Sequence, residues 1–415
     1  MRIAVIIDAF PKLSETFVLY HIIGLLENGH SVHVFSSDEE KRHLIHQDAI
    51  SVNYKSFTSY GVDRPNGISR IVKAFKIILN NWKTHKALLQ SFNPFRYGFY
   101  GLKGYLFYNL EVFARSENSE FDIIHSHFGN NGIKGALAQK LGLIKGKHVV
   151  HFHGHDLLRD DYIQSYDNYS LLLKSIDGIV FNSDFLRSVF LKKFEGHEVM
   201  PFDIVHEPFN PERFPLMEDR IKSETSPFTI TTVGRLVSWK GQGLVIDAIQ
   251  VFREKFPEFD VRLNIVGDGE DFNALEEKIK SLNLGSIVNL TGSLTQDKVS
   301  AVLHDSDVFV LFGTRNSKGE IDTQGVVIQE ASSIGLPVII SDAGGMKEGV
   351  LQDETGFIVP ENDLNALVEK LYYLAMNPEK GREMGEKGHA YVCENFSYTS
   401  IGHDILRFYT TILNA

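Results

Sequence analysis

Apolar residues in this chain gather in short, evenly spaced runs. Ile3–Ile7 is one such run, and with Arg2 it predicts a strand buried on both faces. Glu15–Asn28 carries helical spacing and stops at Gly29, and a second strand, Ser31–Ser36, follows. The rhythm returns with strands at Asp122–His125, His148–His153 and Gly178–Asn182, and a helix near Asn131–Leu141. Strand, helix and strand in quick succession predict an α/β chain with a doubly wound parallel sheet.

The pattern breaks between His206 and Glu218, where Pro208, Pro211 and Pro215 crowd together ahead of the polar stretch Glu218–Pro227. A second series then opens, with strands at Thr229–Val233, Arg262–Val266, Ile287–Leu290, Val308–Leu311, Val338–Ile340 and Gly356–Ile358. The expected domains are residues 1–206 and 207–390, with a helical tail, 391–415, packing back on the first. Strand carboxyl ends in such sheets are where ligands bind, and the expectation is that the two sheets present theirs to a shared cleft.

Composition narrows the classes. With 43% hydrophobic and 23% charged residues the 415-residue chain is neither disordered nor a membrane bundle. No apolar run approaches the roughly 18 residues of a spanning helix. A net charge of −11 disfavours a nucleic-acid binder, whose affinity comes from neutralising phosphates. Cys393 is the only cysteine, which rules out an intrachain disulfide and a cysteine zinc site. With no secretory signal in the opening residues, cytoplasmic residence is expected. Against the acidic background, Arg70, Lys73, Lys76, Lys83, Lys86, Arg96 and Lys103 form a basic island interleaved with Phe75, Trp82, Phe92, Phe95, Tyr97, Phe99 and Tyr100. Residues 70–103 therefore read either as a solvated helix face over an ordinary core or as a surface that meets an anionic acceptor or anionic headgroups at the inner face of a membrane.

Several constellations carry chemistry. Asp322-Thr323-Gln324-Gly325 runs into a short helix reaching about Ser333, with Glu330 inside it. The amino end of such a helix suits a diphosphate. If helical throughout, the segment would separate the two carboxylates by about 12 Å; capping and surface roles would explain them equally. Gly234-Arg235 and Lys240-Gly241 follow the first strand of the second series, where Arg and Lys can converge on one polyanion. Val266-Gly267-Asp268-Gly269 is a tight turn that lacks the third glycine of a dinucleotide fingerprint. Gly344-Gly345 offers another loop for close approach to a ligand.

In the first half, His151, His153 and His155 alternate toward one side if the strand persists, which would suit a metal or an imidazole facing a ligand, and Asp156 follows. A strand end at His153-Gly154 would put His155 on another face, and no metal site is assigned. Ser14 could cap the first helix, with Glu15 and Thr16 in its first turn, or this loop could meet a second substrate.

Taken in order, Gly234-Arg235…Lys240-Gly241, Val266-Gly-Asp-Gly269, Asp322 to Glu330, Gly335-Leu-Pro337, Gly344-Gly345 and Gly356-Phe357 closely resemble glycosyltransferase family 4, retaining enzymes of GT-B fold. Phe10-Pro11, Ser14 to Phe17 and His151-Phe-His153-Gly-His-Asp156 resemble its exopolysaccharide and colanic-acid branch. The resemblance implies two Rossmann-like domains. Its donor site would take a UDP- or GDP-sugar through Gly234, Arg235, Lys240, Gly267, Asp268, Asp322, Thr323, Gln324, Gly325 and Glu330. Glu330 would bind the ribose, Arg235 and Lys240 the diphosphate, Asp322 and the amides after it the sugar, and His153 would lie over the sugar. Ser14, Glu15, Thr16, His155 and Asp156 would meet a saccharide or lipid-linked saccharide acceptor. No metal or other cofactor is implied. Asp322 stands where the family usually has Glu. The rival activities are a GT-B epimerase or phosphorylase, a histidine-cluster metal-dependent hydrolase and a nucleotide-sugar sensor.

Overall fold

A computed structural model of the chain describes residues 1–39, 45–62, 68–80, 82–93, 95, 105–116, 118–165, 169–196, 200–217 and 226–415. The contacts divide into two units, one of residues 1–182, 189–205 and 402–415, the other of residues 183–188 and 206–401.

The first unit is built on seven strands: β1 (Arg2–Ala9), β2 (Ser31–Asp38), β3 (Thr58–Tyr60), β4 (Glu120–His127), β5 (Lys145–Phe152), β6 (Gly178–Phe181) and β7 (Phe202–Ile204). Their order is β3-β2-β1-β4-β5-β6-β7, and every neighbouring pair is parallel. Ile3 through Ile7 are all buried, as a central strand covered on both faces requires. On one face Ala4, Ile6, Phe35 and Ile124 pack with Phe107, Leu110 and Leu137. Helix α1 (Thr16–Glu27) follows β1, α2 (Ile68–Asn80) comes after β3, and α3 (Gly129–Lys140) joins β4 to β5. The edge strands β3 and β7 have three residues each, too few to leave an apolar period in the sequence.

The second unit repeats the plan with six strands: β8 (Phe228–Val233), β9 (Val261–Val266), β10 (Val288–Gly292), β11 (Val308–Leu311), β12 (Val338–Ser341) and β13 (Gly356–Val359). The order β10-β9-β8-β11-β12-β13 is again wholly parallel. Strand order reverses between β8 and β11, and the crevice at such a point is where doubly wound sheets take ligands. Helix α4 (Gln242–Lys255) packs Val245, Ile249 and Phe252 on Leu263, Ile265 and Val308. Helix α5 (Val326–Ser333) lies between β11 and β12.

Three helices close the chain: α6 (Leu364–Met376), α7 (Pro378–Phe396) and α8 (Tyr398–Asn414). The sequence reading started a tail helix at residue 391; the structure carries α7 through that point and turns at Ser397, with residues from Gly402 onward belonging to the first unit. Gly178 shows why a helix fits there, because a side chain added to it would lie 2.6 Å from Ile412.

Two glycines of the second unit give opposite expectations. Gly267 has φ +142°, and a Cβ there would stand 1.9 Å from the Gly234 carbonyl oxygen. Gly243 sits in the first turn of α4, where the nearest atom to an added Cβ is 3.7 Å away. Gly267→Ala should lose about 1–3 kcal/mol or more in urea unfolding, whereas Gly243→Ala should gain about 0.5–1 kcal/mol from helix propensity. Equal behaviour of the two variants would refute this reading of the strand-end contact.

Candidate active site

The loop after β8 is stitched to the loop after β9. Gly234 N donates to the Val266 carbonyl at 3.0 Å, Leu236 N to the Asp268 carbonyl at 3.0 Å and Asp271 N to the Leu236 carbonyl at 3.0 Å. Gln242 adds a bond from its side-chain amide to the Arg235 carbonyl at 3.0 Å. These contacts fix Arg235, whose exposed guanidinium carbon lies 5.7 Å from the Trp239 ring centroid. Asp268 is also exposed and accepts from the Gly269 amide, so the Gly267-Asp268 turn braces the loop and leaves one carboxylate oxygen toward solvent.

Lys240 and Asp322, 82 positions apart, form an ion pair in which both side chains are largely covered, 14% and 13% exposed. The sequence reading sends one to the diphosphate and the other to the sugar; the structure joins them, so each holds the other at the strand ends. The segment around Asp322 is held from behind. A Cβ on Gly344 would meet the Asp322 carbonyl oxygen at 2.0 Å and one on Gly345 the Thr323 carbonyl oxygen at 1.9 Å. Gly345 N donates to the Asp322 carbonyl at 3.1 Å. The glycine pair expected to approach a ligand is thus packed on the acidic loop and sets its position.

Helix α5 starts at Val326, with Gly325 as its N-cap in the left-handed region at φ 77° and no side-chain cap on its first amides. Asp322 therefore lies in the turn ahead of the helix, and the 12 Å spacing expected from an unbroken helix does not apply. The Gln324 side chain is fully engaged elsewhere: it accepts from Glu207 N at 2.6 Å and donates to the Glu207 carbonyl at 3.0 Å. Thr323 beside it is buried as well.

Glu330 lies on the second turn of α5 and keeps some accessible surface. The packing around its carboxyl nevertheless pushes its pKa up to about 8, against a hydrogen bond from Gln296 that favours the charge. A carboxyl whose pKa is raised on folding stabilises the fold at low pH and loses that contribution as pH climbs from its ordinary value through about 8. The unfolding free energy should fall between about pH 5 and pH 8, and Glu330→Gln should remove on the order of a few kcal/mol of that fall. Parallel curves for the two proteins would remove the buried-carboxyl assignment.

In the first unit the expected helix cap is displaced. The N-cap of α1 is Glu15, with no side-chain capping bond, and Thr16 is the first helical residue. Ser14 does not cap, because Lys12 pairs with the Glu15 carboxylate and Glu15 N donates to the Lys12 carbonyl. Burial raises the Glu15 pKa while Lys12 opposes it.

Asp156, which the resemblance places against the acceptor, is held inside the first unit. It is fully buried and accepts from the amides of Gly154 at 2.9 Å, Gly129 at 3.1 Å and His153 at 3.2 Å. It thereby ties the end of β5 to the start of α3. His155 leaves the strand as a short helical turn begins at Gly154; it is exposed, with its ring 5.0 Å from Phe128.

His153 is buried against Phe17 and Phe128, each with its ring centroid 4.7 Å away. The alternating trio of the sequence becomes a different cluster, in which His151 and His153 meet His125 and His127 of β4 and His21 of α1, without His155. Nitrogens of His21, His125 and His127, and of His127, His151 and His153, lie within 4.8 Å of one another. The sequence reading also missed Asp8 at the end of β1, a half-exposed carboxylate that pairs with Lys134 and accepts from Asn130, both of α3; partial desolvation pushes its pKa up, but these partners outweigh it and hold the pKa below its ordinary value. Its signal was a lone charge at the carboxyl end of a central strand.

Both units match known families. Residues 215–391 fit the model for glycosyl transferases group 1 and residues 14–213 that for glycosyltransferase family 4. WcaL of Escherichia coli K12, provisionally named a colanic acid biosynthesis glycosyltransferase, is 27% identical over 89% of this chain and 90% of its own. The amylovoran biosynthesis glycosyltransferase AmsK of Erwinia amylovora is 26% identical over 90% of this chain and 91% of its own. Among solved structures, Alr3699/HepE of Anabaena in complex with UDP superposes with a TM-score of 0.70 at 16% identity, covering 99% of each chain. Two parallel Rossmann-like sheets, the strand-end motifs in their order and both family models agree: the chain belongs to glycosyltransferase family 4, with the GT-B fold.

Proposed function

We propose that this enzyme transfers a sugar, with retention of anomeric configuration and without a divalent metal, from a nucleoside-diphosphate sugar to a saccharide or lipid-linked saccharide acceptor in exopolysaccharide assembly. The observation that carries the reading is the Lys240–Asp322 pair beside the uncapped amino end of α5. It concentrates a cation, a carboxylate and free amides at the point where strand order reverses. Support comes from the UDP held by HepE and from the polysaccharide pathways named for WcaL and AmsK.

In this reading the bond from anomeric carbon to diphosphate breaks, and the charge growing on the leaving oxygen is met by Arg235, Lys240 and the first amides of α5. The acceptor oxygen bonds to the anomeric carbon from the face the diphosphate leaves, and its proton passes to a phosphate oxygen. No enzymic nucleophile is needed. Asp322 releases Lys240 to the diphosphate and turns to the sugar hydroxyls. Glu330 takes the ribose diol, accepting its hydrogen bonds once ionised. Arg235→Ala and Lys240→Ala should each lower turnover on the order of a hundredfold, a few kcal/mol of lost leaving-group stabilisation. Unchanged kcat in both variants, measured as released nucleoside diphosphate, would remove the clamp.

We further propose that the first unit meets an anionic membrane surface through α2, at the cytoplasmic face. Ala74 and Ile78 turn into the core, while Ile68, Val72, Phe75 and Leu79 form an exposed stripe, Ile68 and Leu79 being 82% and 70% exposed. The spacing places them on one helix face. Lys73 and Lys76 border it, and Trp82 continues it at 53% exposure. Arg96, Tyr97, Phe99, Tyr100 and Lys103, and the side chain of Lys83, lie outside the described residues. No acidic residue occurs between Asp63 and Glu111, so the apolar stripe and its charge both suit anionic headgroups. Among the described residues no helix is long and apolar enough to cross a membrane. The protein should sediment with phosphatidylglycerol vesicles, less so in high salt or as the Phe75→Asp, Leu79→Asp double variant. Failure to sediment, or equal binding to neutral vesicles, would refute the contact.

A further inference from the structure

Five buried side chains of the first unit form one unbroken hydrogen-bonded line. His153 Nε2 lies 2.9 Å from His127 Nδ1, and His127 Nε2 lies 3.0 Å from His21 Nδ1. His21 Nε2 lies 3.3 Å from Tyr409 Oη, which is 2.8 Å from His125 Nδ1. The line draws on β4, α1, the turn after β5 and the C-terminal helix α8. None of the five is more than 8% exposed. Burial holds the pKa of His21 down to about 3 and those of His125, His127 and His153 well below the ordinary histidine range, and it raises that of Tyr409. At neutral pH each imidazole therefore carries one ring proton and Tyr409 one hydroxyl proton.

Proton counting then leaves two arrangements. Each of the four contacts needs one proton, so a choice at either end propagates along the line. If His153 donates through Nε2, His127 and His21 must do the same. Tyr409 then receives the bond from His21 and donates to His125 Nδ1, which puts the His125 proton on Nε2. In the reverse arrangement His125 donates through Nδ1 to Tyr409, Tyr409 donates to His21 Nε2, and His21 and His127 donate through Nδ1. His153 then carries its proton on Nδ1. Any mixture leaves a contact with two protons or none, or strands the Tyr409 hydroxyl proton, at about 1–3 kcal/mol for each unsatisfied buried group.

We propose that His153, His127, His21, Tyr409 and His125 form a single proton wire whose four histidines share one tautomer, with His127, His21 and Tyr409 acting as positioning residues for His153. The inner end sets the direction. His125 Nε2 is buried with no hydrogen-bond partner among the described residues, and an unpaired acceptor is tolerated better than an unpaired N–H. The resting wire is therefore the Nδ1–H set, and His153 serves as a neutral hydrogen-bond donor through Nδ1. The claim that His153 acts on a sugar rests on the function proposed above; the wire does not. A metal ion on these rings would consume the lone pairs the wire uses, so the two are mutually exclusive.

The test is long-range proton–nitrogen correlation on the full-length protein labelled with nitrogen-15 histidine, assigned through single histidine variants, beside metal analysis of the same sample. The expected result is Nδ1–H for His21, His125, His127 and His153 at pH 7, with no stoichiometric metal. Cutting the wire should divide the set at the cut. Tyr409→Phe should release His125 while His21, His127 and His153 still agree, and His127→Phe should release His153 while His21 and His125 still agree. A mixed set in the wild type, no division in either folded variant, or a bound metal ion would each overturn the wire. Absence of transferase activity in the wild type, with the tautomer pattern as expected, would instead count against the functional reading alone.

Discussion

The ion pair between Lys240 and Asp322 is the contact on which the second unit's site depends. It bridges the loop after β8 and the loop after β11, on either side of the point where strand order reverses. Removing either partner would leave a largely covered charge uncompensated, a costlier change than losing a surface pair. The pair also explains how a short carboxylate serves here. Asp322 is pressed forward by the Gly344-Gly345 backbone behind it, and it reaches Lys240 from a turn rather than from a helix.

The two units reach the same end by related means. In the second, bare glycine backbone packs against carbonyls so tightly that no side chain fits, and the acidic loop is held by main chain. In the first, one buried carboxylate, Asp156, gathers three amides from two segments and fixes the turn that carries His153 and His155. Both devices use polar groups to fix shape. Arg235 and His155 are exposed, whereas Asp156 and Gln324 are buried and satisfied.

Much of this was legible in the sequence, because parallel strands covered on both faces leave apolar runs, and runs such as Ile3–Ile7 and Val308–Leu311 recur at regular spacing. The loop with Gly234-Arg235 and Lys240-Gly241 was legible too, because it follows a strand, where ligands of such sheets bind. Pairings across long separations were not. Nothing local marks Lys240 as the partner of Asp322, or Tyr409 as a neighbour of His21, 388 positions away. Ser14 was read as a cap because its type and place allow it, but Lys12 secures Glu15 and moves the cap by one residue. Asp156 was assigned to the acceptor by resemblance alone, and nothing local shows that the amides of Gly129, His153 and Gly154 hold it inward.

The account stands on the second unit holding a nucleoside diphosphate whose departure drives sugar transfer. The most direct measurement is proton NMR of the purified enzyme with a panel of UDP- and GDP-sugars and oligosaccharide acceptors in excess chelator, following donor loss and the anomeric signal of the product together. The account predicts that one donor is consumed, with the diphosphate released and the new glycoside keeping the donor's anomeric configuration. An inverted product, or turnover that chelator abolishes, would contradict it.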